Sequence, residues 1–484
     1  MKLLQSKKFN KEYCARIVHI TSFEKHPNPK CTRMKCAIVG GFSISVSLDT
    51  EPGWFIYFPV GSQIDGSYLS AMNLFRKAPM NTDQTKTGFF EDNRKVKPIK
   101  LQGYPSEGFL MPASSLLEWY NIQGWEGAEL RNLEELNNYD FDSVDDHVLV
   151  KRYFVKVQRV GGVPKVKGRD GSKNDSKLVE GQFHFHYDSD SLERMPWVIK
   201  PWNLLHISTK FHGTSGISAN ILCKEMPKLQ IQYKDKQGHK LGSKNKLLKQ
   251  AKRKLSKAQP KLVYTDVFAS RKVIKKESNL TSGFYGNDEF RLKAHEILKP
   301  HLDKGITLYY ELVGFVTTGS AIQSIGGKPM DYGCVPPAEG EPYTYGKHYD
   351  ILIYRITFTN PDGVIYEFSA HEVQLWCKQH ELHAVKELYW GFAKDLYPDL
   401  DIHADDWATQ FCHRVKTDQG RFFMELDSPD CQNEVPHEGV VIRIDDGKQA
   451  AYKVKSFRFL NKEDADYEKG IVNIEDAELA EEDA

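Results

Sequence analysis

The sequence has no run of about 18 apolar residues, so nothing in it reads as a membrane span. Its opening, MKLLQSKKFNKEY, lacks an apolar h-region, so no secretory signal is expected. Charge of one sign is also missing: 66 Lys and Arg against 65 Asp and Glu leave a formal +1. That balance gives no global mark of a nucleic-acid binder, although local patches do such binding. The eight cysteines, Cys14, Cys31, Cys36, Cys223, Cys334, Cys377, Cys412 and Cys431, form no CxxC pair and no dense framework. A chain of this size needs no disulfide staples, and reduced thiols in a cytoplasmic protein are the simplest reading. Cys31 and Cys36 could share a zinc, but no second ligand pair follows at a convincing spacing; the other reading is ordinary, partly buried thiols. No internal repeat stands out.

What is present suffices for folding. The chain has 484 residues, 40% hydrophobic and 12% aromatic, which predicts two or three domains with real cores. Residues 12–60 read as short alternating strands (YCARIVHI, KCAIVG, SISVSL, GWFIYFPV) separated by turns such as HPNPK and DTEPG, as in a small barrel or sandwich. Residues 113–148 look helical and then acidic, with DFDSVDDH as a surface loop. A basic stretch from Lys151 to Lys177 reads as a solvated tether or as a strap contacting phosphates. From 181 onward FHFHYD, LHISTK, ISANIL, LQIQYK, KLVYTDVFAS, ITLYYELVGF, DILIYRITF, VVIRID and AYKVKS are strand-like. The Lys-rich stretch 234–258 is expected to be an exposed loop or short helix. Helical spacing covers 286–303 and 371–397; in the second, Val373, Leu375, Trp376, Leu382, Val385, Leu388 and Tyr389 are expected to form one buried face. His380 and His383 beside that face read as surface residues rather than metal ligands. The expected division is 1–150 as a β-rich module, 151–180 as a basic linker, 181–461 as an α+β module of antiparallel sheets and 462–484 as an acidic, frayed tail.

Chemistry concentrates in the second module. Lys210-Phe211-His212-Gly213 lies between two strand-like runs, where Gly213 permits a tight turn and the lysine can point into a pocket between sheets. An amine attacks only when unprotonated, a state that burial or adjacent cations favour. Further along come Ser270-Arg271, Tyr310-Glu311-Leu312-Val313-Gly314, Ile353-Tyr354-Arg355-Ile356, Glu438-Gly439-Val440-Val441-Ile442-Arg443 and Tyr452-Lys453-Val454-Lys455-Ser456. Singly, each has a plain structural reading: sheet-edge carboxylates, a core tyrosine, a solvated lysine face. Lys453 and Lys455, two apart on a strand, must share a face. A glutamate opening the apolar run EGVVIR is harder to dismiss, because a buried carboxylate is costly unless paired or metal-bound.

The order KxHG, SR, YELVG, IYRI, EGVVIR, YKVKS resembles the six collinear motifs of the covalent nucleotidyltransferases: ATP-dependent DNA ligases, RNA ligases and capping enzymes. His212, at a position usually aspartate in DNA ligases and capping enzymes, resembles the RNA ligase branch. The run HPNPKCTRMKCAIVGGFSISVSL with GWFIYFPVGS and LQGYPSEGFLMP resembles the OB-fold domain that opens one nick-sealing RNA ligase family. Asp49-Thr50-Glu51-Pro52 is shorter than that family's usual approach to the following strand.

The resemblance implies an N-terminal OB-like barrel that binds nucleic acid, with Lys97, Lys100 and Tyr104 as candidates, followed by a nucleotidyltransferase domain. It implies that Lys210 becomes adenylylated by ATP. It places Lys453 and Lys455 on the α-phosphate and triphosphate, and His212 and Gly213 around the nucleotide. By the same resemblance Arg271 is expected to contact the nucleotide or a 5′-phosphate, Glu311 to lie near the ribose, Tyr354 to stack on adenine, and Glu438 to hold Mg²⁺ or Mn²⁺. The implied substrate is a nicked duplex with an RNA 3′-OH strand, and the implied state is a monomer in the cytoplasm, or in a host cell's cytoplasm if viral. The alternatives are a DNA ligase, a GTP-using capping enzyme, or an inactive nucleic-acid-binding protein.

Overall fold

The structure is a computed structural model that describes residues 1–125, 129–130, 132–155, 177–225, 260–276, 280, 285, 287–448 and 450–471. Most of the basic linker, the run LQIQYK and the Lys-rich stretch therefore lie outside the described residues. No helix among the described residues is long and apolar enough to cross a membrane.

The second module is built on two open sheets. One runs in the order Asp190–Ser191, Ala451–Lys455, Gly439–Ile444, Leu204–Thr209, Glu387–Phe392. The other runs Lys261–Ser270, Thr214–Glu225, Ile306–Gly314, Tyr349–Thr359, Ile365–Glu367, with His383–Ala384 alongside Tyr349–Thr359. Alternation along the strands decides what each face does. In the first sheet Leu205, Ile207, Val440, Ile442, Ile444 and Val454 point to a core shared with Phe411, Cys412 and Val415 of the helix Trp407–Thr417. Their neighbours His206, Ser208, Val441, Arg443, Lys453 and Lys455 face the other way and line a cavity. In the second sheet Leu308, Tyr310, Leu312, Ile351 and Ile353 pack on the helices Glu289–Leu298 and Ala370–Gln379, while Glu311, Tyr354 and Arg355 line the same cavity.

Several expectations change. FHFHYD belongs to no strand: residues 183–188 run irregularly, with Phe183 and Phe185 packed beside Tyr354. The single helix expected over 371–397 stops at Gln379. Ser369 and Glu372 start it with a reciprocal capping box, Glu381 turns the chain with φ +56°, and Glu387–Phe392 becomes a strand of the first sheet. Val373 of the expected apolar face is buried, but Leu375 is exposed, and Leu388 and Tyr389 are strand residues. DFDSVDDH forms short strands, Asp140–Phe141 and Ser143–Val144, rather than a loop. The tail reading fails over its first residues, because Ser456 caps a helix spanning Phe457–Glu468.

The N-terminal module is sheet-rich but carries two helices, Gly66–Ala71 and Ser115–Ile122. Its largest sheet orders Phe109–Pro112, Gly53–Phe58, Ala15–Ile20 and Asp140–Phe141; Met34–Val39 and Phe42–Ser47 pair in a separate sheet. Among the described residues neither sheet closes on itself. The module docks on the second module through charged groups. Arg16 and Arg194 both bind Asp140, at 2.7 and 2.8 Å. Lys416 is buried between Glu107 at 2.9 Å and Glu193 at 3.0 Å. The terminal helix returns to the module as well, with Lys97 2.9 Å from Glu468 and Asp464 beside the buried Lys95.

Candidate active site

Lys210 stands on the crossover between the two sheets, after Leu204–Thr209 of one and before Thr214–Glu225 of the other. The crossover is pinned from both sides. The Lys210 N–H donates to the Gly439 carbonyl at 2.9 Å, and the His212 N–H donates to the Tyr332 hydroxyl at 2.7 Å. The Gly213 N–H donates to Glu311 at 3.1 Å, and the Ser215 hydroxyl reaches the same carboxylate at 3.3 Å. Gly213 is needed for close approach rather than for an unusual turn. A Cβ there would lie 2.2 Å from the Leu312 carbonyl oxygen and 2.9 Å from Glu311 Cγ. Gly213→Ala is therefore expected to push the crossover off the Ile306–Gly314 strand and move Lys210. A displacement of about 1 Å costs on the order of 100-fold in rate. The check is single-turnover labelling of the protein by nucleotide, set against a melting curve that reports the fold.

Around Lys210 the sequence-expected residues converge. Its ammonium lies 2.7 Å from Glu438 Oε1. Lys455 Nζ is 3.6 Å from that same oxygen and 3.0 Å from Glu463. His212 Nδ1 is 3.8 Å from Glu438 Oε2, and its ring packs edge-on to Phe459. Burial works to raise the Glu438 carboxyl, but Lys210, His212 and Lys455 together hold it below the usual carboxylate range. Burial lowers His212 in spite of that carboxylate, which keeps the imidazole neutral at pH 7.

The cavity beside this cluster has a volume of about 470 Å³ and is lined by Lys210, Arg271, Glu311, Tyr354, Lys453 and Lys455 among others. Tyr354 reaches it through a β-bulge. Tyr309 pairs with Arg355 and Tyr310 with Ile353, which leaves Tyr354 as the extra residue. The adjacent Tyr354 and Arg355 thus share one face. The Tyr354 hydroxyl is bonded to His186 at 2.8 Å, and Glu367 holds Arg355 at 2.8 Å. Arg271 Nε donates to Asp188 at 2.8 Å. Lys453 and Lys455 do share a face, and Lys453 reaches Glu12 of the N-terminal module at 2.8 Å.

The structure does not bring Lys97, Lys100 and Tyr104 to this cavity. Lys97 is paired with Glu468, Lys100 sits over the Phe457 ring, and the Tyr104 hydroxyl meets Ser43 at 3.3 Å. Glu12, His186, Tyr332 and Glu463 enter the site without having been expected. Only His186 carried a signal, in its aromatic neighbourhood FHFHYD; the others arrive through chain reversals that no local pattern encodes.

Among the described residues no group of three or more His, Cys, Asp and Glu side chains is arranged to hold a metal by itself. One donor nevertheless suits a divalent cation: Glu438 Oε2 is buried without a hydrogen bond. An ion that keeps most of its shell as water and phosphate oxygens needs only such a carboxylate.

No family model and no curated protein matches the chain. Among solved structures it is similar to RNA ligase of Naegleria gruberi. A mutant of that protein with AMP and Mn is 13% identical, covering 93% of this chain and 98% of that one at TM-score 0.47. Another mutant, with ATP and Mn, is 13% identical, with coverages of 94% and 99% and TM-score 0.48. The form with PPi is 14% identical, with the same coverages and TM-score 0.47. At such identities and scores the chemistry has to be argued from the cleft itself.

Proposed function

We propose that the protein is an ATP-dependent RNA ligase that works through a covalent Lys210–AMP. The observation that carries this reading is Lys210 on the inter-sheet crossover, 2.7 Å from the buried Glu438, with Lys453 and Lys455 on the same cavity wall.

In the first step Lys210, having given up its ammonium proton to solvent, attacks the α-phosphate of ATP; a P–N bond forms, the P–O bond to pyrophosphate breaks, and the nitrogen loses a second proton to solvent. Lys455, Lys453 and Arg271 stabilise the charge that gathers on the phosphate oxygens, and they do so most effectively in a water-poor cleft. Tyr354 offers its ring to adenine, and Glu311 faces the ribose while it fixes the backbone of Gly213. Glu438 would hold Mg²⁺ or Mn²⁺, which supplies charge neutralisation at phosphate. His212, neutral and wedged on Phe459, keeps the crossover in place without adding a competing cation.

The AMP then passes to a polynucleotide 5′-phosphate, giving a 5′–5′ anhydride, and a 3′-hydroxyl displaces it to leave a phosphodiester. Adenylylation matters because a phosphate monoester is a poor electrophile until it carries a good leaving group. We read residues 1–150 as an OB-like nucleic-acid-binding module, and the substrate as a nick with an RNA 3′-OH strand, whose 2′-hydroxyl can be read directly.

The test has two arms. Labelled ATP, but not labelled GTP, is expected to remain on the protein through a denaturing gel. In a panel of nicked duplexes with RNA or DNA on each flank, sealing is expected where the 3′-OH strand is RNA. Label from GTP alone would sink the ligase reading, and equal sealing of all-DNA nicks would sink the RNA assignment.

A further inference from the structure

Next to the nucleotide cavity lies a second one of about 480 Å³, walled by the N-terminal module on one side. Arg271, Lys453 and Lys455 line both cavities, so the two meet at the cations assigned to the phosphates. On the N-terminal wall stands Glu12. It is held in an Asx turn, its N–H donating to Asn10 Oδ1 at 3.0 Å, and its carbonyl accepts from Arg194 at 3.3 Å. Its carboxylate reaches Lys453 Nζ at 2.8 Å. Burial raises the Glu12 carboxyl, but Lys453, with Lys455 and Arg194, holds it below the usual range, so it is an anion at neutral pH.

A carboxylate and a phosphate oxygen are equivalent partners for an ammonium group. Glu12 therefore occupies a donor that a triphosphate or a departing pyrophosphate would use. Being tethered, it acts at an effective concentration in the millimolar range or above.

We propose that Glu12 is an intramolecular competitor for pyrophosphate: it takes Lys453 back when the leaving group loosens, which speeds release and opposes reversal of adenylylation. This rests on the ligase reading for the reaction that it tunes. In the reverse direction a pyrophosphate oxygen attacks the α-phosphorus, the P–N bond breaks as its nitrogen takes a proton from solvent, and Lys210 leaves as the amine with ATP re-formed. Glu12 lowers the occupancy of the pyrophosphate that this attack needs. Glu463 pairs with Lys455 in a similar way, but it belongs to the helix that follows that strand. Glu12 comes from the other end of the chain, so the brake depends on the N-terminal module being docked.

The experiment uses the full chain and its Glu12→Gln variant. Pyrophosphate affinity is measured by calorimetry, and the pyrophosphate concentration that half-discharges labelled enzyme is measured in parallel. Loss of one partly exposed ion pair predicts about three- to five-fold tighter pyrophosphate in both readouts. The gain should vanish when Lys453→Met is combined with it. Glu12→Asp, which shortens the carboxylate, is expected to shift both readouts in the same direction. If Glu12 merely docks the module, pyrophosphate binds equally or more weakly in both variants, and the proposal falls. If wild type takes no label from ATP yet calorimetry shows the tighter binding, the ligase reading fails and the competitor role stands.

Discussion

Lys210→Ala is expected to leave no covalent nucleotide on the protein after incubation with labelled ATP and denaturing electrophoresis. Among the described residues the other lysine beside Glu438, Lys455, is poorly placed to replace it. Lys455 is 3.6 Å from the shared Glu438 oxygen, but it extends from the next-but-one strand of the first sheet and is also held by Glu463. Lys210→Arg should fail equally, because a guanidinium stays protonated and carries no free pair for phosphorus. The loss should exceed about 10³-fold, the scale for removing a nucleophile. A polynucleotide already carrying 5′-AMP should still be sealed to some degree, since that final step breaks no bond to the lysine. Label retained on Lys210→Ala would refute the assignment.

Lys416→Ala should produce the largest loss of stability. Lys416, Glu107 and Glu193 are all nearly inaccessible, and each comes from a different part of the chain. Removing this cation leaves two carboxylates buried side by side, which typically costs about 3–5 kcal/mol. Its Nζ also donates to the Lys455 carbonyl at 3.2 Å, so nucleotide labelling should fall along with the melting temperature. The cluster sets a pH dependence too. Burial, with Lys416 opposing and Glu193 adding to it, pushes the Glu107 carboxyl up to about 7 from an ordinary 4.5. A group raised on folding contributes fully below its unfolded value and loses that contribution as pH rises to its folded value. Wild-type stability from this carboxyl should therefore decline between about pH 4.5 and 7 and then level off. Without Lys416 the decline should continue above pH 7. Urea denaturation at several pH values measures both; a Lys416→Ala profile parallel to wild type would contradict the coupling.

The strands that wall the cavity were legible in the sequence because alternation is local. Val440, Ile442 and Val454 declare the core, and the residues between them must face the cleft. The shared face of Lys453 and Lys455 followed from a spacing of two. What could not be read depended on distance or on single extra residues. Nothing in IYRI announces that a bulge turns Tyr354 and Arg355 the same way. Nothing near Glu12 signals a partner 441 residues on. FHFHYD looked like a strand because aromatics favour sheets, yet its rings are used to pack beside Tyr354, leaving it outside any ladder. The charge pattern of 462–484, taken by itself, resembles a frayed tail. Asp464 and Glu468 in fact meet Lys95 and Lys97, which composition alone does not encode.

That last contact has a bearing on how the protein is made. Synthesis proceeds from the N-terminus, and Lys97 leaves the ribosome 371 residues before Glu468. Until the final helix emerges, the well-buried Lys95 lacks the Asp464 carboxylate that faces it in the finished molecule. The first module can gather its apolar core early, but its basic flank stays unmatched until that helix has been made. The helix Phe457–Glu468 thus acts as a closing stitch for this flank. A chain that stopped before Phe457 would still hold the residues that line the cavity around Lys210 and the Arg194–Asp140 and Lys416–Glu107 contacts, but its Lys95 and Lys97 would stay unmatched.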